Sequence, residues 1–343
     1  MRAMVFYRHG GPDVLELADV PKPQVGPDDV LVRVRAVALN HLDIFVREGL
    51  PGLNLTMPFI LGSDIAGDIA ELGQNVRGLA VGQRVAVNPG LSDNTCEFCL
   101  AGEHSLCPNF KILGEHVPGG YAEYARVPAL NVLPLPGHVS YEDAAAAALV
   151  FLTAWRALIT QARLRPGETV LILGAGGGVA TAAIQVAKLA GAYVYAVSGY
   201  EDKLERARAL GADEGINYRT MDFSREAFQR TGKRGVDVVL ENVGEATWKG
   251  SLRAVRKGGR IVTYGATSGP IGETDIRLVF WKQLHIIGAT MASQSEFREV
   301  MRLVFAGKLR PVIDRVLPLE QARQAQEALA SQEQFGKIVL RVD

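Results

Sequence analysis

The chain has 343 residues, of which 48% are hydrophobic, and this length and composition suffice for two domains with separate cores. Lys and Arg together number 37, as do Asp and Glu, so the net charge is zero and a nonspecific nucleic-acid binder is disfavoured. Residues 1–7 have the pattern of a strand and not that of a secretory signal. The longest uncharged stretch, 169–187, contains four glycines, which argues against a membrane span. We therefore expect a soluble protein with no nucleic-acid and no membrane partner.

Two sequence patterns divide the chain. Residues 1–149 contain short β-patterned runs, such as Val30–Val37 with alternating apolar and basic residues, which predict a mostly antiparallel domain. Residues 150–291 alternate between strand and helix patterns, which predicts a doubly wound parallel sheet. Residues 292–343 are too few for a domain, so we expect them to return and complete the first one.

The predicted elements follow that division. In chain order they are a helix at Asp143–Ile159, a strand at Thr169–Leu173, a helix at Ala180–Leu189, a strand at Tyr193–Val197, a helix at Asp202–Leu210, a strand at Val236–Leu240, a helix at Thr247–Ala254, a strand at Arg260–Tyr264, helices at Ser295–Phe305 and Leu319–Ser331, and a last strand at Lys337–Val342. The apolar run Leu284–Thr290 is expected near a sheet edge, where it would support a homodimer or homotetramer.

A glycine-rich turn, Gly174–Gly178, separates the strand that ends at Leu173 from the helix that begins near Val179. Glycines allow the tight turn and let the backbone approach a pyrophosphate, while the N–H groups at the helix start favour an anion. Because the turn follows a buried strand and precedes a second strand–helix unit, it predicts a dinucleotide site.

The end of the second strand indicates which dinucleotide binds. An NAD site places Asp or Glu there for the ribose hydroxyl, whereas this strand ends in Ser198 and Gly199, with Lys203 just beyond. A hydroxyl and an ammonium accept a 2′-phosphate, so we expect NADP(H). In the alternative, Lys203 is solvated and Glu201 or Asp202 binds the ribose of NAD(H).

All three cysteines lie within a short segment at about 90–110. Asp93, Cys96, Cys99 and Cys107 have the compact spacing of a tetrahedral zinc site with no open position, which is typical of structural zinc. Other candidates for the fourth ligand are Glu97, Glu103 and His104, and three reduced cysteines without metal are a further alternative. Clustered cysteines with no partners elsewhere indicate a reducing compartment, the cytoplasm.

The motifs of the whole chain resemble those of the medium-chain dehydrogenase/reductase superfamily. They occur in the family's order, as LNHLD at 39–43, REG at 47–49, PFILGSDIAG at 58–67, GGYAEY at 119–124, TAW at 153–155, the glycine turn, LGAD at 210–213 and GKIV at 336–339. The resemblance implies an α/β fold with a chaperonin-10-like β-barrel catalytic domain and an inserted Rossmann domain. It also matches the cysteine segment to a structural-zinc lobe with one zinc per chain.

One departure from the family pattern bears on the reaction. The zinc alcohol dehydrogenases of the family hold a catalytic zinc with a Cys, a His and a further Cys or carboxylate, and the matching positions here are Asn40, Ser63 and about Leu149. This set lacks the expected ligands, so no Lewis acid is available for an alcohol. Asn40 with Asp43 instead resembles the quinone oxidoreductase and ζ-crystallin branch. A tyrosine proton donor of related enoyl reductases is replaced by Leu50, which argues against dedicated enoyl-thioester reduction.

Three functions follow from these patterns. The first is an NADPH-dependent oxidoreductase that reduces a small-molecule quinone or α,β-unsaturated carbonyl. The second is a zinc-containing alcohol dehydrogenase that uses NAD(P) and other ligands, for example Asp43, Asp64 or His116. The third is a nonenzymatic role in which NADPH binding serves sensing, structural bulk or RNA contact.

The resemblance also implies roles for single residues. Asn40 and Asp43 are expected in the active site, Asp43 orienting a partner such as an arginine, and His41 beside them is a weaker candidate proton donor. In the alternative, Asp43 is a buried structural carboxylate. The resemblance implies that the pyrophosphate is bound by Gly177, Gly178 and Val179, and the 2′-phosphate by Ser198, Gly199 and Lys203. Tyr218 is expected to flank the adenosine, and the nicotinamide is expected beside Thr153, Asn242 and Gly265 with Ala266. Lys337 resembles the C-terminal cofactor lysine of the family.

Overall fold

The computed structural model describes residues 1–343, and the chain divides into two compact units. Unit 1 comprises Met1–Val150 together with Ala292–Asp343, and unit 2 comprises Phe151–Met291. The C-terminal segment therefore belongs to the same unit as the N-terminal one.

The helices and strands occur in three stretches of the chain. The first stretch contains β1 (Arg2–Phe6), β2 (Glu16–Asp19), β3 (Asp29–Ala38), α1 (His41–Glu48), β4 (Phe59–Ile60), β5 (Asp64–Leu72), β6 (Arg84–Val87), β7 (Gly90–Leu91), α2 (Glu97–Leu100), β8 (Lys111–Ile112), β9 (Tyr124–Pro128), β10 (Val132–Pro134) and α3 (Tyr141–Trp155). The second contains β11 (Thr169–Ile172), α4 (Gly178–Leu189), β12 (Tyr193–Ser198), α5 (Glu201–Ala209), β13 (Glu214–Asn217), α6 (Phe223–Arg230), β14 (Val236–Glu241), α7 (Trp248–Ala254), β15 (Val255–Thr263), α8 (Ile276–Lys282) and β16 (His285–Gly288). The third contains α9 (Gln294–Phe305), β17 (Ile313–Pro318), α10 (Ala322–Ala330) and β18 (Lys337–Arg341).

The main sheet of unit 1 has seven strands in the order β10-β6-β5-β3-β18-β17, with β9 also paired to β3. Strand β3 alternates apolar and polar residues, and its valines and Leu31 are buried in the core. It pairs antiparallel with β5 on one side and with β18 on the other. The last strand of the chain is thus a central strand of the first domain. A three-stranded sheet, β2-β1-β4, completes the unit together with the short pair β7-β8.

The sheet of unit 2 has six parallel strands in the order β13-β12-β11-β14-β15-β16. Strands β11 and β14 lie at its centre and are almost wholly buried, as strands covered by helices on both faces must be. The predicted α/β fold, with a chaperonin-10-like domain and a Rossmann domain, is confirmed. The edge strand β16 coincides with the apolar run expected there, while the dimer or tetramer, for which sedimentation velocity is the direct test, stays a prediction.

Helix α3 is Ala-rich and continues as a π-helical turn, Arg156–Gln161. Helical residues Tyr141–Gln161 are long and apolar enough to cross a membrane by length and composition, but 78% of the most apolar window is buried inside the protein. This is the character of a core helix. The uncharged stretch singled out in the sequence is instead divided between β11 and α4.

Among the elements that follow α3, four were not predicted from the sequence, namely β13, α6, α8 and β17. Strand β13 has a single fully buried residue, Ile216, so its pattern is too weak to distinguish from a loop. Helix α6 is polar and is marked chiefly by its cap, since Asp222 accepts hydrogen bonds from the amides of Ser224 and Arg225. Predicted boundaries elsewhere agree to within five residues, and the largest difference is at β15, which begins at Val255 and not at Arg260.

Candidate functional site

Strand register brings three polar residues of unit 1 to one place. Ala38 of β3 pairs with Asp64 of β5 on one side and with Val339 of β18 on the other. Asn40 lies two residues beyond Ala38, and Lys337 lies two residues before Val339, so antiparallel pairing sets Asn40 and Lys337 opposite each other. The side chains of Asn40 and Lys337 contact each other, although the two residues are 297 positions apart in the chain.

The three side chains form a closed hydrogen-bonded cluster, which we call the Lys337 cluster: Asn40, Asp64 and Lys337. The ammonium of Lys337 donates to Asn40 Oδ1 at 2.6 Å and to Asp64 Oδ2 at 2.9 Å. The Nδ2 of Asn40 donates to the same Asp64 oxygen at 2.9 Å, and the Leu149 amide donates to Asp64 Oδ1 at 2.8 Å. Their exposed fractions are 8%, 0% and 3% for Asn40, Asp64 and Lys337. Removing either charge would leave the other buried without its partner.

The ligand positions of a catalytic zinc do not fit a divalent metal here. Asn40 uses both ends of its amide within the cluster, and Asp64 Oδ2 already accepts two donors. Ser63 is fully buried with its hydroxyl unpartnered, and Leu149 contributes only its backbone amide. The centre between these oxygens is held by an ammonium, which a metal ion would have to displace. Asn40, Ser63 and Leu149 therefore do not form a site for a catalytic metal ion.

Asp43 lies one turn into α1 and is completely buried. Its carboxylate accepts from the Asn40 amide at 2.8 Å, from the Tyr121 hydroxyl at 3.0 Å and from the Gly62 amide at 3.2 Å. Gly62 has a φ of +98°, and a Cβ there would collide with the Tyr121 ring, so only glycine fits. Asp43 thus fixes the start of α1, on which Asn40 is the N-cap.

The expectation that Asp43 orients an arginine is wrong. The buried Arg47 instead donates to Gln326 Oε1 at 2.7 Å and to the Gly10 carbonyl at 2.9 Å. Burial raises the pKa of Asp43 to about 6, against the opposing effect of the Asn40 amide and the Tyr121 hydroxyl. Burial and the Lys337 charge lower the pKa of the neighbouring His41. His41 is therefore neutral at pH 7, which is a poor state for a proton donor.

The four residues predicted as zinc ligands lie together. One ligand atom from each of Asp93, Cys96, Cys99 and Cys107 lies within 4.8 Å of the others, and none of the cysteines is in a disulfide. Asn109 Nδ2 and the amides of Thr95 and Cys96 donate to the Asp93 carboxylate and orient it. Glu97, Glu103 and His104 are not members of this group. The donor set of three thiols and one carboxylate fits tetrahedral zinc.

Of the other metal ligands considered, His116 lies beside β8. Its Nδ1 accepts from the Ile112 amide at 3.2 Å, and burial lowers its pKa. Burial raises the pKa of the neighbouring Glu115 carboxyl to about 7. This pair is part of the short β7-β8 region and not of the Lys337 cluster.

In unit 2 the glycine turn has the form expected of a phosphate loop. Gly174 has a φ of +64°, Gly177 closes the turn onto its carbonyl at 2.8 Å, and α4 begins at Gly178 without a side-chain cap. Uncapped N–H groups at a helix start suit a pyrophosphate. Asn242 follows β14 and lies beside this turn, since its Oδ1 is 3.8 Å from where a Gly174 Cβ would be. That oxygen is buried and unpartnered, as an atom awaiting a ligand donor would be.

The end of β12 carries a basic and aromatic cluster. A Cβ on Gly199 would meet the Tyr218 ring and Arg219 Nε at 2.7 and 3.0 Å, and Arg219 stacks on the Tyr200 ring at 4.0 Å. The Lys203 chain crosses the glycine turn, where a Cβ on Gly176 would lie 3.3 Å from its Nζ. Ser198 Oγ accepts from the Tyr200 amide at 3.3 Å. The structure thus brings together the predicted Ser198, Gly199, Lys203 and Tyr218.

Arg219 was missed from the sequence. It follows β13, an element that was not predicted, so nothing local placed it beside the end of β12. The alternative ribose ligands, Glu201 and Asp202, are exposed in the first turn of α5, where Glu201 pairs with Arg208 at 3.3 Å. Of the other predicted cofactor residues, Gly265 lies beside Asn242, Val179 is in the first turn of α4 and Thr153 is buried on α3. Lys337 lies in unit 1, within its own cluster.

Comparison with known families finds two family models that match the chain. Residues 26–137 match the model of the alcohol dehydrogenase GroES-like domain, and residues 178–306 match that of the zinc-binding dehydrogenases. The chain belongs to the medium-chain dehydrogenase/reductase superfamily, in its zinc-containing alcohol dehydrogenase-like group. The prediction of an NAD(P)-dependent oxidoreductase of this superfamily is confirmed.

Similar proteins of this superfamily have several reactions in their names. A crystal structure of an NAD-dependent alcohol dehydrogenase is 48% identical, covers 100% of both chains and superposes with a TM-score of 0.96. An acryloyl-coenzyme A reductase of Metallosphaera sedula is 34% identical over 99% of both chains. A quinone oxidoreductase of Mus musculus is 32% identical over 99% of this chain and 97% of its own. All three are oxidoreductases, whereas their substrates differ.

The buried Asp43 makes stability depend on pH. Its pKa is about 6 in the folded chain against 3.8 for the ordinary group, so between these values the folded state keeps a proton that the unfolded state has lost. The unfolding free energy should therefore fall as the pH rises from about 4 to about 6, by roughly 3 kcal/mol from this group. Above about pH 7 the contribution should be constant.

Urea unfolding of the wild type and of Asp43→Asn across this pH range measures the effect. The difference between the two proteins should carry the slope, because Asn does not titrate. The matched control is Asp19→Asn, at an exposed position in β2, which should keep the wild-type slope. An equal slope in Asp43→Asn would show that another group is responsible.

Proposed function

We propose that this protein is an NADPH-dependent oxidoreductase that transfers hydride to a quinone or an α,β-unsaturated carbonyl, with one structural zinc ion per chain and no catalytic metal. The observation that carries the proposal is the Lys337 cluster, in which an ammonium is bonded to Asn40 Oδ1 and Asp64 Oδ2. An alcohol needs an acid strong enough to depress the pKa of its hydroxyl. A conjugated acceptor does not, because conjugation already spreads the negative charge that develops on its oxygen.

The cofactor would be held by unit 2. Bound NADPH supplies the hydride, and the protein provides its orientation. Gly177, Gly178 and Val179 would meet the pyrophosphate at the start of α4, where no side chain caps the helix. Thr153, Asn242, Gly265 and Ala266 would line the nicotinamide, and the unpartnered Asn242 Oδ1 is suited to accept from a carboxamide N–H.

The preference for NADPH over NADH rests on the residues at the end of β12. Lys203 and Arg219 supply positive charge and Ser198 a hydroxyl, while Tyr218 offers a face for the adenosine. A 2′-phosphate has oxygens for both cations. The strand end offers no carboxylate for a ribose hydroxyl, which is the feature of NAD sites. This part of the proposal departs from the name of the 48% identical alcohol dehydrogenase.

Within unit 1, Asn40 and Asp43 would have different tasks. Asp43 is completely buried and accepts three hydrogen bonds, so it positions other groups and does not contact substrate. Asn40 is the most exposed of the Lys337 cluster, and Asp43 fixes its backbone. Such a chain of fixed groups preorganises a site and excludes water from it.

The zinc ion would have a structural role in the segment 90–110. Four protein ligands, Asp93, Cys96, Cys99 and Cys107, leave no position open for a substrate. Free thiols in this number favour a reducing compartment such as the cytoplasm.

A second candidate function is a zinc-containing alcohol dehydrogenase. One observation favours it besides the name of the 48% identical relative: Asp64 is a fully buried carboxylate beside the orphaned Ser63 hydroxyl. Those two oxygens would need another strong ligand to hold zinc. The Lys337 ammonium argues against this reading, because it already neutralises Asp64.

A substrate panel tests the proposal directly. With NADPH, the protein should reduce 1,4-benzoquinone and 2-cyclohexenone, and with NADP⁺ it should oxidise ethanol, 2-propanol and cyclohexanol at least about 100-fold more slowly, since removing the metal electrophile costs several kcal/mol. The absorbance of NADPH at about 340 nm measures each rate, as a decrease in the reductions and as an increase in the alcohol oxidations. Alcohol oxidation that equals or exceeds the reduction of both acceptors would favour the second candidate.

Loss of the Arg219 guanidinium should weaken the NADPH preference. Arg219→Ala should raise the KM for NADPH by about 10- to 100-fold and leave the KM for NADH nearly unchanged, because a charge-assisted bond to phosphate contributes about 1.5–3 kcal/mol. Steady-state kinetics with each cofactor give the two values. Arg225→Ala, at an exposed arginine of α6, is the matched control. A parallel change for both cofactors would place Arg219 outside the phosphate site.

Metal analysis tests the zinc assignment. Purified wild type should contain about one zinc per chain, and Cys99→Ser should contain almost none, because structural zinc needs its thiolates. Ser105→Ala, in the same segment, should keep the metal. Two zinc ions per chain, of which one survives Cys99→Ser, would contradict the absence of a catalytic metal.

A further inference from the structure

The carboxylate of Glu241, at the end of β14 in unit 2, is buried and has only neutral hydrogen-bond partners. The residue is fully buried, and the amides of Val243 and Gly244 donate to its Oε1 at 2.8 and 3.1 Å. The hydroxyls of Thr247 and Ser251 donate to the carboxylate as well. Its negative charge therefore lies in a medium of low dielectric constant with no cation bonded to it.

The opposite end of β14 carries a buried acid in a different environment. Asp237 is also buried, but it forms ion pairs with Arg234 at 2.7 Å and with Arg256. Two arginines thus neutralise the acid at the amino end of the strand, whereas Glu241 at the carboxyl end has none. A buried charge without a counter-ion lowers the stability of the fold, and such groups occur preferentially at functional sites.

Glu241 lies one residue before Asn242, at the edge of unit 2 where the nicotinamide is expected. Gly265 is adjacent there, since its Cβ, if it had one, would lie 3.3 Å from the Asn242 carbonyl oxygen. The amide of Tyr264 donates to the Glu241 carbonyl at 3.0 Å. Burial and the negative charge of Glu241 both raise the pKa of the Tyr264 hydroxyl. The field of the carboxylate therefore reaches the residue that precedes Gly265.

Hydrogen bonds between two loops fix this arrangement. The loop after β14, whose amides bind the Glu241 carboxylate, is joined to the loop after β15. The Thr267 amide donates to the Asn242 carbonyl at 3.1 Å, and the Ser268 amide donates to the Val243 carbonyl at 2.8 Å. The Ser268 hydroxyl donates to the same Val243 oxygen at 2.6 Å. The carboxylate is thus held in place by the protein itself, as a preorganised charge must be.

We propose that the Glu241 carboxylate tunes the bound cofactor by stabilising the oxidised nicotinamide ring, which is cationic in NADP⁺ and neutral in NADPH. This inference rests on the proposed function, in which Asn242 and Gly265 line the nicotinamide. A fixed negative charge favours a cation over a neutral ring, so it strengthens the binding of NADP⁺ relative to that of NADPH. By thermodynamic linkage, bound NADPH is then a stronger hydride donor than it would be without Glu241.

The carboxylate makes and breaks no bond in this assignment. Hydride leaves the ring of NADPH with its electron pair and reduces the acceptor, and the ring is left with a positive charge that the charge of Glu241 stabilises. Because this positive charge develops during hydride transfer, part of the stabilisation is already present in the transition state. Glu241 acts through its charge, and no contact with the cofactor is required.

Separate Kd values for the two cofactor forms test the assignment. Glu241→Gln removes the charge and keeps the size, and the hydroxyls of Thr247 and Ser251 can turn to accept from the new amide. We expect the Kd for NADP⁺ to rise about 10-fold, while the Kd for NADPH stays within about twofold of the wild type. Titration calorimetry measures NADP⁺ binding, and fluorescence of the bound cofactor measures NADPH binding. Glu245→Gln, at an exposed position in the same loop, is the matched control and should leave both Kd values unchanged.

Two further variants separate the charge from the shape of the loop. Glu241→Asp keeps the charge on a shorter side chain, so the ratio of the two Kd values should stay within about threefold of the wild type even where both values rise. Thr247→Lys adds an ammonium at a half-buried position beside the carboxylate. It should raise the Kd for NADP⁺ relative to that for NADPH, as Glu241→Gln does, and it keeps the proposal testable if Glu241→Gln does not fold.

Two results would overturn the assignment. Equal rises of both Kd values in Glu241→Gln would mean that the carboxylate only shapes the loop. Kd values that stay at the wild-type level in Glu241→Gln, or in Thr247→Lys where the first variant does not fold, would mean that its charge does not act on the nicotinamide. A wild type that reduces neither acceptor contradicts the proposed function instead, whereas the two Kd values are measured without any acceptor.

Discussion

The pairing of the last strand with β3 is the constraint on which the candidate active site depends. Antiparallel register between β18 and β3 sets Lys337 opposite Asn40, and the register between β3 and β5 sets Asp64 on the other side. A shift of one residue in either pairing would turn these side chains to the opposite face of the sheet. The hydrophobic residues of β3 and β18 face the core and so hold the register. Core packing and site geometry are therefore determined by the same three strands.

Two buried acids in unit 1 are held by different means. Asp64 is paired with a cation, whereas Asp43 is surrounded by neutral donors, and burial raises its pKa to about 6. Neutral donors stabilise a carboxylate less than a full positive charge does in a medium of low dielectric constant. Asn40 connects the two acids, because its backbone donates to Asp43 and its side chain donates to Asp64. The start of α1 is thus fixed through both the backbone and the side chain of Asn40.

The parts of the site that the sequence predicted are those whose residues are close together in the chain. The glycine turn and the cysteine segment each lie within a single stretch, and both have the expected form in the structure. Asn40 and Asp43 were singled out by resemblance, but the partner of Asp43 was misjudged as an arginine. The contact of Lys337 with Asp64 spans 273 positions and follows from tertiary register, which no local pattern carries. Arg219 was missed for a similar reason, because it follows the weak strand β13.

The place of Lys337 near the end of the chain bears on the order of synthesis. The strand β18 is the last element of the chain, whereas β3 and β5 are among its first. A growing chain therefore carries Asp64 through the synthesis of 273 further positions before Lys337, the residue that neutralises it, has been made. During that time the sheet of unit 1 also lacks a central strand, and its exposed edge can pair with other chains. The first domain can complete its sheet only after β18 has been made, so its charged centre assembles long after β3 and β5 have been synthesised.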